Sequence, residues 1–410
     1  MSFIVSIYFE KRRKKTNGKY SIKLRVYNKF DNTKIVRYFT TGIDLTKQEF
    51  EIIWINPKNK KLRGKNKEIY LKLIEFEKRA NDVAEAMTIF DFAKFEMKLF
   101  RKSTDNNSLK YYFNLIINDK LKNNKIGTAE SYKYTLGSLE DFSKIDNLTF
   151  NTITPEWLKE YESYMLSNNK SYSTIAIYTR TLRAVYNKAI EQNDISNDIY
   201  PFGKNKYKIP RTKKVKKALN SHQLKVLFNA EVSNSNELKA KDFWFFSYSC
   251  NGMNLKDIAL LKYSDIKDGK FTYYRAKTFD KSAEKTEITI YLTDFTNSVL
   301  KKYGNKKKNG YVFDIIDIKE DAMTQYKKIK NFTRYINDHI KRIAKEYELP
   351  LDLSTYWARH SFATNSLRKG ASMEFISEAL NHSDLSVTKN YFAGFEDKAK
   401  KEFANSLLDF

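Results

Sequence analysis

At 410 residues the chain is long enough for two or three domains, and its 41% hydrophobic and 15% aromatic residues exclude a wholly disordered protein. The formal net charge of +26 predicts a polyanionic partner, nucleic acid first, with a merely solvated basic surface as the alternative. The single cysteine, Cys250, excludes a disulfide framework and a cysteine-based zinc site, and the lack of a signal-peptide pattern or a long apolar run predicts a cytoplasmic protein without a membrane span.

The first 55 or so residues have the pattern of a small β-sheet. β-Forming residues run from Phe3 to Phe9, side chains alternate from Tyr20 to Tyr27, and a third strand is predicted from Ile35 to Thr41. Asn17-Gly18 predicts a hairpin turn between the first two strands. This turn region carries four cations that can contact phosphates or enter a groove: Arg12, Arg13, Lys14 and Lys15. The alternative is an accessory domain with a charged turn.

A helix is predicted from Lys65 to about Phe100, where apolar side chains recur at intervals of three and four. With the sheet it makes the first predicted domain, residues 1–100. Residues 105–205 are predicted to form an all-helical domain, in which Thr154-Pro155 is typical of a helix start. One of its helices has an apolar stripe from Ile175 to Ala189 and places two cations on other faces, where they contact phosphates or solvent: Arg180 and Arg183.

The segment from Tyr200 to Ala218 has the composition of a linker, and we place its basic part at residues 206–218. Two prolines favour an extended chain, and the run from residue 211 to residue 217 holds five cations: Arg211, Lys213, Lys214, Lys216 and Lys217. A basic tether between two modules suits a protein that wraps around DNA.

Residues 219–410 are predicted to form the last domain. Asn220 or Ser221 caps a helix that reaches Ala230, and an aromatic, buried helix spans residues 243–250. Two strands follow, at residues 271–277 and 287–292, and a polar tip joins them as a hairpin with Lys277 at its end. Without further information, Lys277 is one surface lysine among many. An amphipathic helix is predicted at the end of the chain, with its apolar face made by Phe403, Leu407, Leu408 and Phe410.

The segment from Ser354 to Tyr391 holds two of the four histidines and suits phosphodiester chemistry. Attack at phosphorus concentrates negative charge on the non-bridging oxygens, and the planar guanidinium of Arg359 can bind them with two parallel hydrogen bonds. His382 can donate to the same oxygens or manage the proton of the nucleophile. The phenol of Tyr391 can attack and leave a covalent phosphotyrosine, provided that a base or nearby cations activate it. No metal is needed where the donors are placed in advance.

Local signals in this segment predict three short helices. Ser354 is a candidate N-cap of the first, which ends before Gly370 and places Tyr356 and Arg359 on one face. Ser372 can cap the second, and the third is predicted to begin near Ser386 and to carry Tyr391. Taken singly, Arg359 also fits a surface cation, His382 a loop residue and Tyr391 a core aromatic.

The segment resembles the catalytic C-terminus of the tyrosine recombinases, the phage integrase family. The resemblance rests on Ala358-Arg359-His360-Ser361-Phe362-Ala363-Thr364, on Leu380-Asn381-His382-Ser383, and on the position of Tyr391. It is closest to the integrases of conjugative transposons and other mobile elements, in which a Tyr or similar residue replaces the first histidine of the second-arginine motif, as Tyr356 does here.

The resemblance implies a multidomain α+β fold: a small N-terminal β-sheet arm-type domain, an all-α SAM-like core-binding domain, and a mainly α catalytic domain with a small antiparallel sheet. It implies that Tyr391 forms a 3′-phosphotyrosine on double-stranded DNA, and that Arg359, His382 and either His360 or Tyr356 hold the phosphate. It also implies that Lys277 protonates the leaving 5′ oxygen. No cofactor or metal is expected. The chain is expected to form a homotetramer that is coupled through the C-terminal helix. Accessory DNA-bending or excision factors are also expected as partners, and the protein is expected to associate with the bacterial nucleoid.

One position departs from the family pattern. The first catalytic arginine normally follows a Gly-hydrophobic pair, but here Gly252-Met253 is followed by Asn254, and the neighbouring Asn251 is not an arginine either. Loss of one charge-assisted donor costs about 3 kcal/mol of transition-state stabilisation, or about a hundredfold in rate. Either Arg275 or another cation substitutes, or the enzyme is slow, or catalysis is lost. A DNA-binding architectural factor with a disabled site is therefore one alternative to a recombinase. A type IB topoisomerase-like enzyme, which uses the same chemistry without a partner duplex, is the other.

Overall fold

The computed structural model describes residues 2–30, 33–56, 62–87, 89–100, 107–145, 147–211, 217–279, 285–306, 309–382, 384–389, 391–392, 394 and 397–406. The chain divides into two compact units. One contains residues 1–111 with 147–151 and 189–199, and the other contains residues 112–146, 152–188 and 200–410. Among the described residues, no helix is both long enough and apolar enough to cross a membrane.

The predicted N-terminal sheet is confirmed. Strands β1 (Ser2–Lys14), β2 (Tyr20–Phe30) and β3 (Thr33–Leu45) form an antiparallel sheet in that order. All three strands are longer than predicted, and β1 includes Arg12, Arg13 and Lys14, which were predicted to lie in the turn region. One face of β2 is fully buried through Ile22, Leu24 and Val26. This face belongs to the same core as residues of α2 (Gly64–Glu85) and α3 (Phe92–Leu99), which follow the short helix α1 (Lys47–Phe50). The helix predicted from Lys65 to Phe100 is therefore two helices, because Asp91 caps a new one.

The helical module contains α4 (Leu109–Lys122), α5 (Ile126–Ser143), α6 (Pro155–Ser167) and α7 (Tyr172–Glu191). The predicted start of α6 is confirmed, because the Thr154 side chain accepts a hydrogen bond from the Trp157 amide and Pro155 lies in the first turn. Arg180 and Arg183 are exposed on α7, as the apolar stripe predicts.

Residues near the start of the predicted linker pack into folded structure. Pro201 and Phe202 are buried, and the buried Tyr207 donates a hydrogen bond to Glu162 at 2.6 Å. An extended tether beginning at Tyr200 is therefore wrong for these residues, because three of the side chains are apolar or aromatic and gain from burial. Lys213, Lys214 and Lys216 lie outside the described residues.

The C-terminal module begins with α8 (Ser221–Asn229), α9 (Ser235–Ser249) and α10 (Leu255–Leu260). Strands β4 (Ile266–Lys267), β5 (Lys270–Tyr273) and β6 (Ile288–Tyr291) then form a small antiparallel sheet. Seven residues of α9 are buried, with Trp244 fully so, and the helix packs against two later ones, α12 and α13, whose bounds follow. The remaining helices are α11 (Asp294–Tyr303), α12 (Ala322–Glu346), α13 (Thr355–Arg368), α14 (Met373–Ala379), α15 (Leu385–Lys389) and α16 (Asp397–Ser406).

The structure corrects two predicted boundaries in this module. Strand β5 ends at Tyr273, so Lys277 lies in a turn and not in a strand that reaches residue 277. Helix α15 ends at Lys389, so Tyr391 follows the helix instead of being carried on it. The polar hairpin tip at residues 280–284 and Leu407, Leu408 and Phe410 lie outside the described residues, as does the side chain of Phe403.

Helices α5 and α12 are joined by a polar contact inside the larger unit. The Tyr326 hydroxyl donates to Glu130 at 2.8 Å, and the Lys330 ammonium lies 3.2 Å from the same carboxylate. A Cβ added to Gly127 would lie 3.2 Å from the Tyr326 ring, so the helices approach closely where the glycine stands. This contact, which we call the α5–α12 clasp, holds the helical module and the C-terminal module together at a point far from the linker in sequence.

Candidate active site

Arg359 lies in the middle of α13 and is only 5% exposed. Its guanidinium donates to the carbonyl oxygens of Gly252, at 3.2 Å, and Leu380, at 2.5 Å. The Nε atom is buried and has no hydrogen-bond partner among the described residues. A buried charged donor without a partner is costly, so this atom is a natural place for an anion to bind.

Gly252 allows this close approach. Its φ of +66° lies in the left-handed region, and an added Cβ would lie 2.6 Å from the Cα of Arg359. A glycine is therefore required here for two reasons, the backbone conformation and the lack of space. The Gly252 carbonyl in turn fixes one end of the arginine side chain.

His382 faces Arg359 and is held by α15. Its Nδ1 lies 2.9 Å from the Thr388 hydroxyl, and its Nε2 lies 3.4 Å from an Arg359 terminal nitrogen. Because a guanidinium only donates, Nε2 must be the acceptor, and Nδ1 then carries the proton that is donated to Thr388. Burial, followed by the charges of Arg359, Arg275 and Lys277, lowers the pKa of His382 to about 4. The ring is therefore neutral at neutral pH and presents a lone pair to the site.

The Tyr391 ring lies between two imidazoles. Its centroid is 4.4 Å from that of His360, with the rings stacked, and 5.0 Å from that of His382. The Arg359 guanidinium carbon is 5.7 Å from the same ring, and the Tyr391 carbonyl accepts a hydrogen bond from Thr364 at 3.0 Å. The three residues that the sequence predicted to act together are thus brought into one cluster.

The electrostatics of this cluster favour ionisation of Tyr391. Burial raises the pKa of the phenol, but the charges of Arg359 and Arg275 and the hydrogen bonds with Arg359 and Tyr356 outweigh it, so the net pKa lies below its ordinary value. Burial and the Tyr391 oxygen raise the pKa of Tyr356 to about 12. Tyr391 is therefore the phenol that loses its proton first, and Tyr356 remains a donor to it.

The other predicted site residues differ in how closely they join the cluster. His360 is 4% exposed, and burial lowers its pKa, so it is a buried stacking partner of Tyr391 more than a surface donor. Tyr356 is 53% exposed and packs edge-on against His360. Lys277 is exposed, yet close enough for its charge to act on His382.

Asn254 does not contribute to the cluster. It is exposed, and its side-chain oxygen accepts a hydrogen bond at 2.9 Å from the Lys256 amide, which caps α10. The residue at the first-arginine position is thus used for helix capping, a role for which asparagine is well suited. Two groups that sequence reasoning missed are Thr388, which orients His382, and Thr364, which holds the Tyr391 carbonyl. Neither has a local sequence signal, because each acts through a tertiary contact.

The predicted DNA-contacting residues lie on several surfaces. A cavity of about 770 Å³ in the N-terminal unit is lined by Glu10, Arg12, Arg13, Lys14, Lys15, Ser21 and Lys23. The Lys15 ammonium lies 2.6 Å from the Asp44 carboxylate, and this ion pair competes with binding of Lys15 to a DNA phosphate. Arg211 is exposed, whereas Lys217 lies 2.6 Å from Asp352.

Within the described ranges, no group of three or more His, Cys, Asp or Glu side chains is placed to hold a metal ion.

The open face of the N-terminal sheet is a surface that sequence reasoning did not single out. The Arg25 guanidinium lies 5.9 Å from the Tyr8 ring centroid, and the Tyr8 and Tyr38 rings are 4.9 Å apart. Strand alternation places these side chains opposite the buried residues of β2.

Comparisons with known proteins identify the family of the chain. Residues 108–209 match the family model for the phage integrase SAM-like domain, and residues 217–397 match the model for the phage integrase family. Tyrosine recombinase XerC of Staphylococcus aureus (strain bovine RF122 / ET3-1) is 24% identical over 286 residues, which is 68% of this chain and 90% of the relative.

Two solved structures share the fold. The Tn1549 transposon integrase in complex with transposon right end DNA has a TM-score of 0.51 at 15% identity, covering 73% of this chain and 99% of that one. XerH site-specific recombinase bound to palindromic difH substrate has a TM-score of 0.51 at 20% identity, covering 82% of this chain and 94% of that one.

Proposed function

The chain belongs to the phage integrase family of tyrosine recombinases, and we propose that it integrates or excises a mobile element by cleaving and rejoining double-stranded DNA at specific sites. The observation that carries the proposal is the cluster of Tyr391, Arg359 and His382. It combines a phenol of lowered pKa, a buried guanidinium with an unpartnered Nε, and a neutral imidazole.

In the proposed reaction, the Tyr391 oxygen attacks phosphorus and the bond from phosphorus to the 5′ oxygen breaks. The product is a 3′-phosphotyrosine, and the leaving oxygen takes a proton from Lys277. A 5′ hydroxyl of the partner strand then attacks the phosphotyrosine and releases Tyr391. Since each step exchanges one phosphodiester for another, the bond energy is conserved and no external energy source is needed.

We assign the remaining roles from the contacts. Arg359 binds a non-bridging oxygen, through its free Nε and through donors now directed at the Gly252 and Leu380 carbonyls. Once Arg359 turns its donor from His382 to the phosphate, the Nε2 lone pair of His382 is released to take the phenolic proton, and Tyr356 donates to the resulting phenolate. His360 positions the Tyr391 ring by stacking.

We assign the DNA-contacting domains and the linker with the boundaries predicted from the sequence. Residues 1–100 form an arm-type domain that uses Arg25 and the cations of the first hairpin, and residues 105–205 form the core-type domain with Arg180 and Arg183. Residues 206–218 link it to the catalytic domain at 219–410. A homotetramer in the synaptic complex, joined through the C-terminal helix, and accessory bending or excision factors complete this proposal.

A nicked suicide substrate that carries the chain's own attachment site tests the function. The strand beyond the nick diffuses away after cleavage, so the unmodified protein is expected to accumulate as a covalent protein–DNA band. Tyr391→Phe is expected to abolish the band, and the matched change at the 72% exposed Tyr291 to Phe is expected to leave it. Equal bands from both variants would exclude Tyr391 as the nucleophile.

The capping role of Asn254 favours a second candidate, a DNA-binding architectural factor with a disabled site. Failure of the unmodified protein to form a covalent band, with binding to the same DNA retained, would establish that alternative. Recombinant junctions between two duplexes distinguish a recombinase from a type IB topoisomerase-like enzyme, which rejoins only the strand that it cut.

A further inference from the structure

The active-site cluster has one guanidinium where the transition state carries charge on two non-bridging oxygens. Asn254 cannot fill the gap as it stands, because its side-chain oxygen is committed to the Lys256 amide and the residue is exposed. A site that must stabilise two charged oxygens needs a second preorganised cation. One such cation lies in the turn after β5.

Arg275 lies in this turn, and the peptide group that follows it is held through both its carbonyl and its amide. The next amide, that of Ala276, donates at 2.9 Å to the carboxylate of Asp257, which is 5% exposed on α10. The Arg275 carbonyl accepts hydrogen bonds from the amides of Thr278 and Phe279, both at 3.0 Å. The base of the side chain therefore cannot move far, whatever the rest of the hairpin does.

The side chain is half-buried, and its charge lowers the pKa values of Arg359, His382 and Tyr391, which lie on different elements, so it is close to the cluster. Against the rise caused by burial, the same charge also lowers the pKa of the Asp257 carboxylate, to which the turn is anchored. Two guanidiniums of like charge repel each other, so a neighbouring pair of this kind is favourable when an anion lies between them.

We infer that Arg275 is a catalytic residue that supplies the second guanidinium of the phosphate site, in place of the arginine that Asn254 lacks. The inference rests on the proposed function, since the anion is the scissile phosphate. Arg275 binds one non-bridging oxygen while Arg359 binds the other, and the fixed turn sets its distance from phosphorus. The same turn carries Lys277, so one hairpin delivers both a phosphate ligand and the acid for the leaving oxygen.

The test compares two nicked substrates that differ at the scissile position, one with the natural phosphate and one with a neutral methylphosphonate. Release of the 5′-hydroxyl strand is measured for the unmodified protein, Arg275→Ala and Arg275→Gln. Arg334→Ala, at an exposed arginine of α12, is the matched control. With the natural phosphate, both Arg275 variants are expected to be about a hundredfold slower, because one charge-assisted donor is removed. With the methylphosphonate they are expected to match the unmodified protein, because there is no oxygen charge left to stabilise.

Three results would overturn the inference. The first is an unchanged cleavage rate of both Arg275 variants on the natural phosphate. The second is an equal loss of rate on both substrates, which identifies a structural role for Arg275. The third is a loss of rate in Arg334→Ala as large as that in Arg275→Ala. If the unmodified protein fails on both substrates, the proposed function fails instead, so the two failures are distinguishable.

Discussion

Gly252→Ala is expected to destabilise the larger unit and to disable the site together. An alanine at φ +66° costs about 1 kcal/mol for the left-handed conformation. Its Cβ would lie 2.6 Å from the Arg359 Cα, a main-chain atom that cannot rotate away, so overpacking adds about 1–3 kcal/mol. The total is about 2–4 kcal/mol. At about 2–4 °C per kcal/mol for a unit of this size, the unfolding temperature is expected to fall by about 4–16 °C.

Gly269→Ala is the matched control for this experiment. Gly269 has nearly the same φ, +70°, but no atom lies within 4 Å of an added Cβ. It is expected to cost about 1 kcal/mol, from the backbone conformation alone. Thermal unfolding followed by circular dichroism measures both variants, and the nicked substrate measures covalent trapping. If the two variants unfold at the same temperature, or if Gly252→Ala traps DNA as well as the unmodified protein, the close approach of Gly252 to Arg359 is refuted.

Three further predictions concern pH, salt and the α5–α12 clasp. The pKa of His382 is about 4 in the folded protein, against 6.5 ordinarily. As the pH falls, the unfolded chain therefore binds a proton at this residue before the folded chain does. The stability is expected to fall as the pH drops from about 6.5 to about 4. His382→Gln is expected to flatten that slope in urea titrations, whereas a change at the exposed His222 is not. Neutralising the lysines at 213, 214, 216 and 217 is expected to reduce the slope of log binding constant against log salt by about 0.9 for each DNA phosphate that is no longer neutralised. Lys217 is expected to contribute least because Asp352 pairs with it. An unchanged slope would mean that the linker does not contact the DNA. Tyr326→Phe is expected to cost about 1 kcal/mol because the hydrogen bond to Glu130 is removed, and no destabilisation relative to Tyr291→Phe in thermal unfolding would mean that the clasp is not formed.

Features that depend on neighbours in sequence were predictable. Asn220, Thr154 and Ser372 each cap the helix that follows, because an N-cap is decided by one side chain and the amide two or three residues later. Gly370, with φ +94°, follows the end of α13 for a similarly local reason. The order of strands in the N-terminal sheet, and the pairing of β5 with β6, follow from the alternation and turn signals of single hairpins, whereas the two-residue strand β4 was not predicted.

Features that depend on distant contacts were not predictable. Strand β5 ends early where Asp257, far away in sequence, takes the Ala276 amide. Tyr391 leaves the helical pattern where Thr364, on another helix, holds its carbonyl. Asn254 was placed at the phosphate site only by its position in the family motif, whereas in the structure it caps α10.

The location of Tyr391 just beyond α15 lowers the free-energy cost of moving this residue. A nucleophile inside a helix shifts only if hydrogen bonds of the helical ladder break, whereas this residue is held by a turn bond to Thr388 and by the Thr364 hydroxyl on its carbonyl. The position of its phenolic oxygen can therefore adjust to a bound strand through rotation of one side chain, while the ring keeps its contacts with the two imidazoles and the preceding helix stays intact.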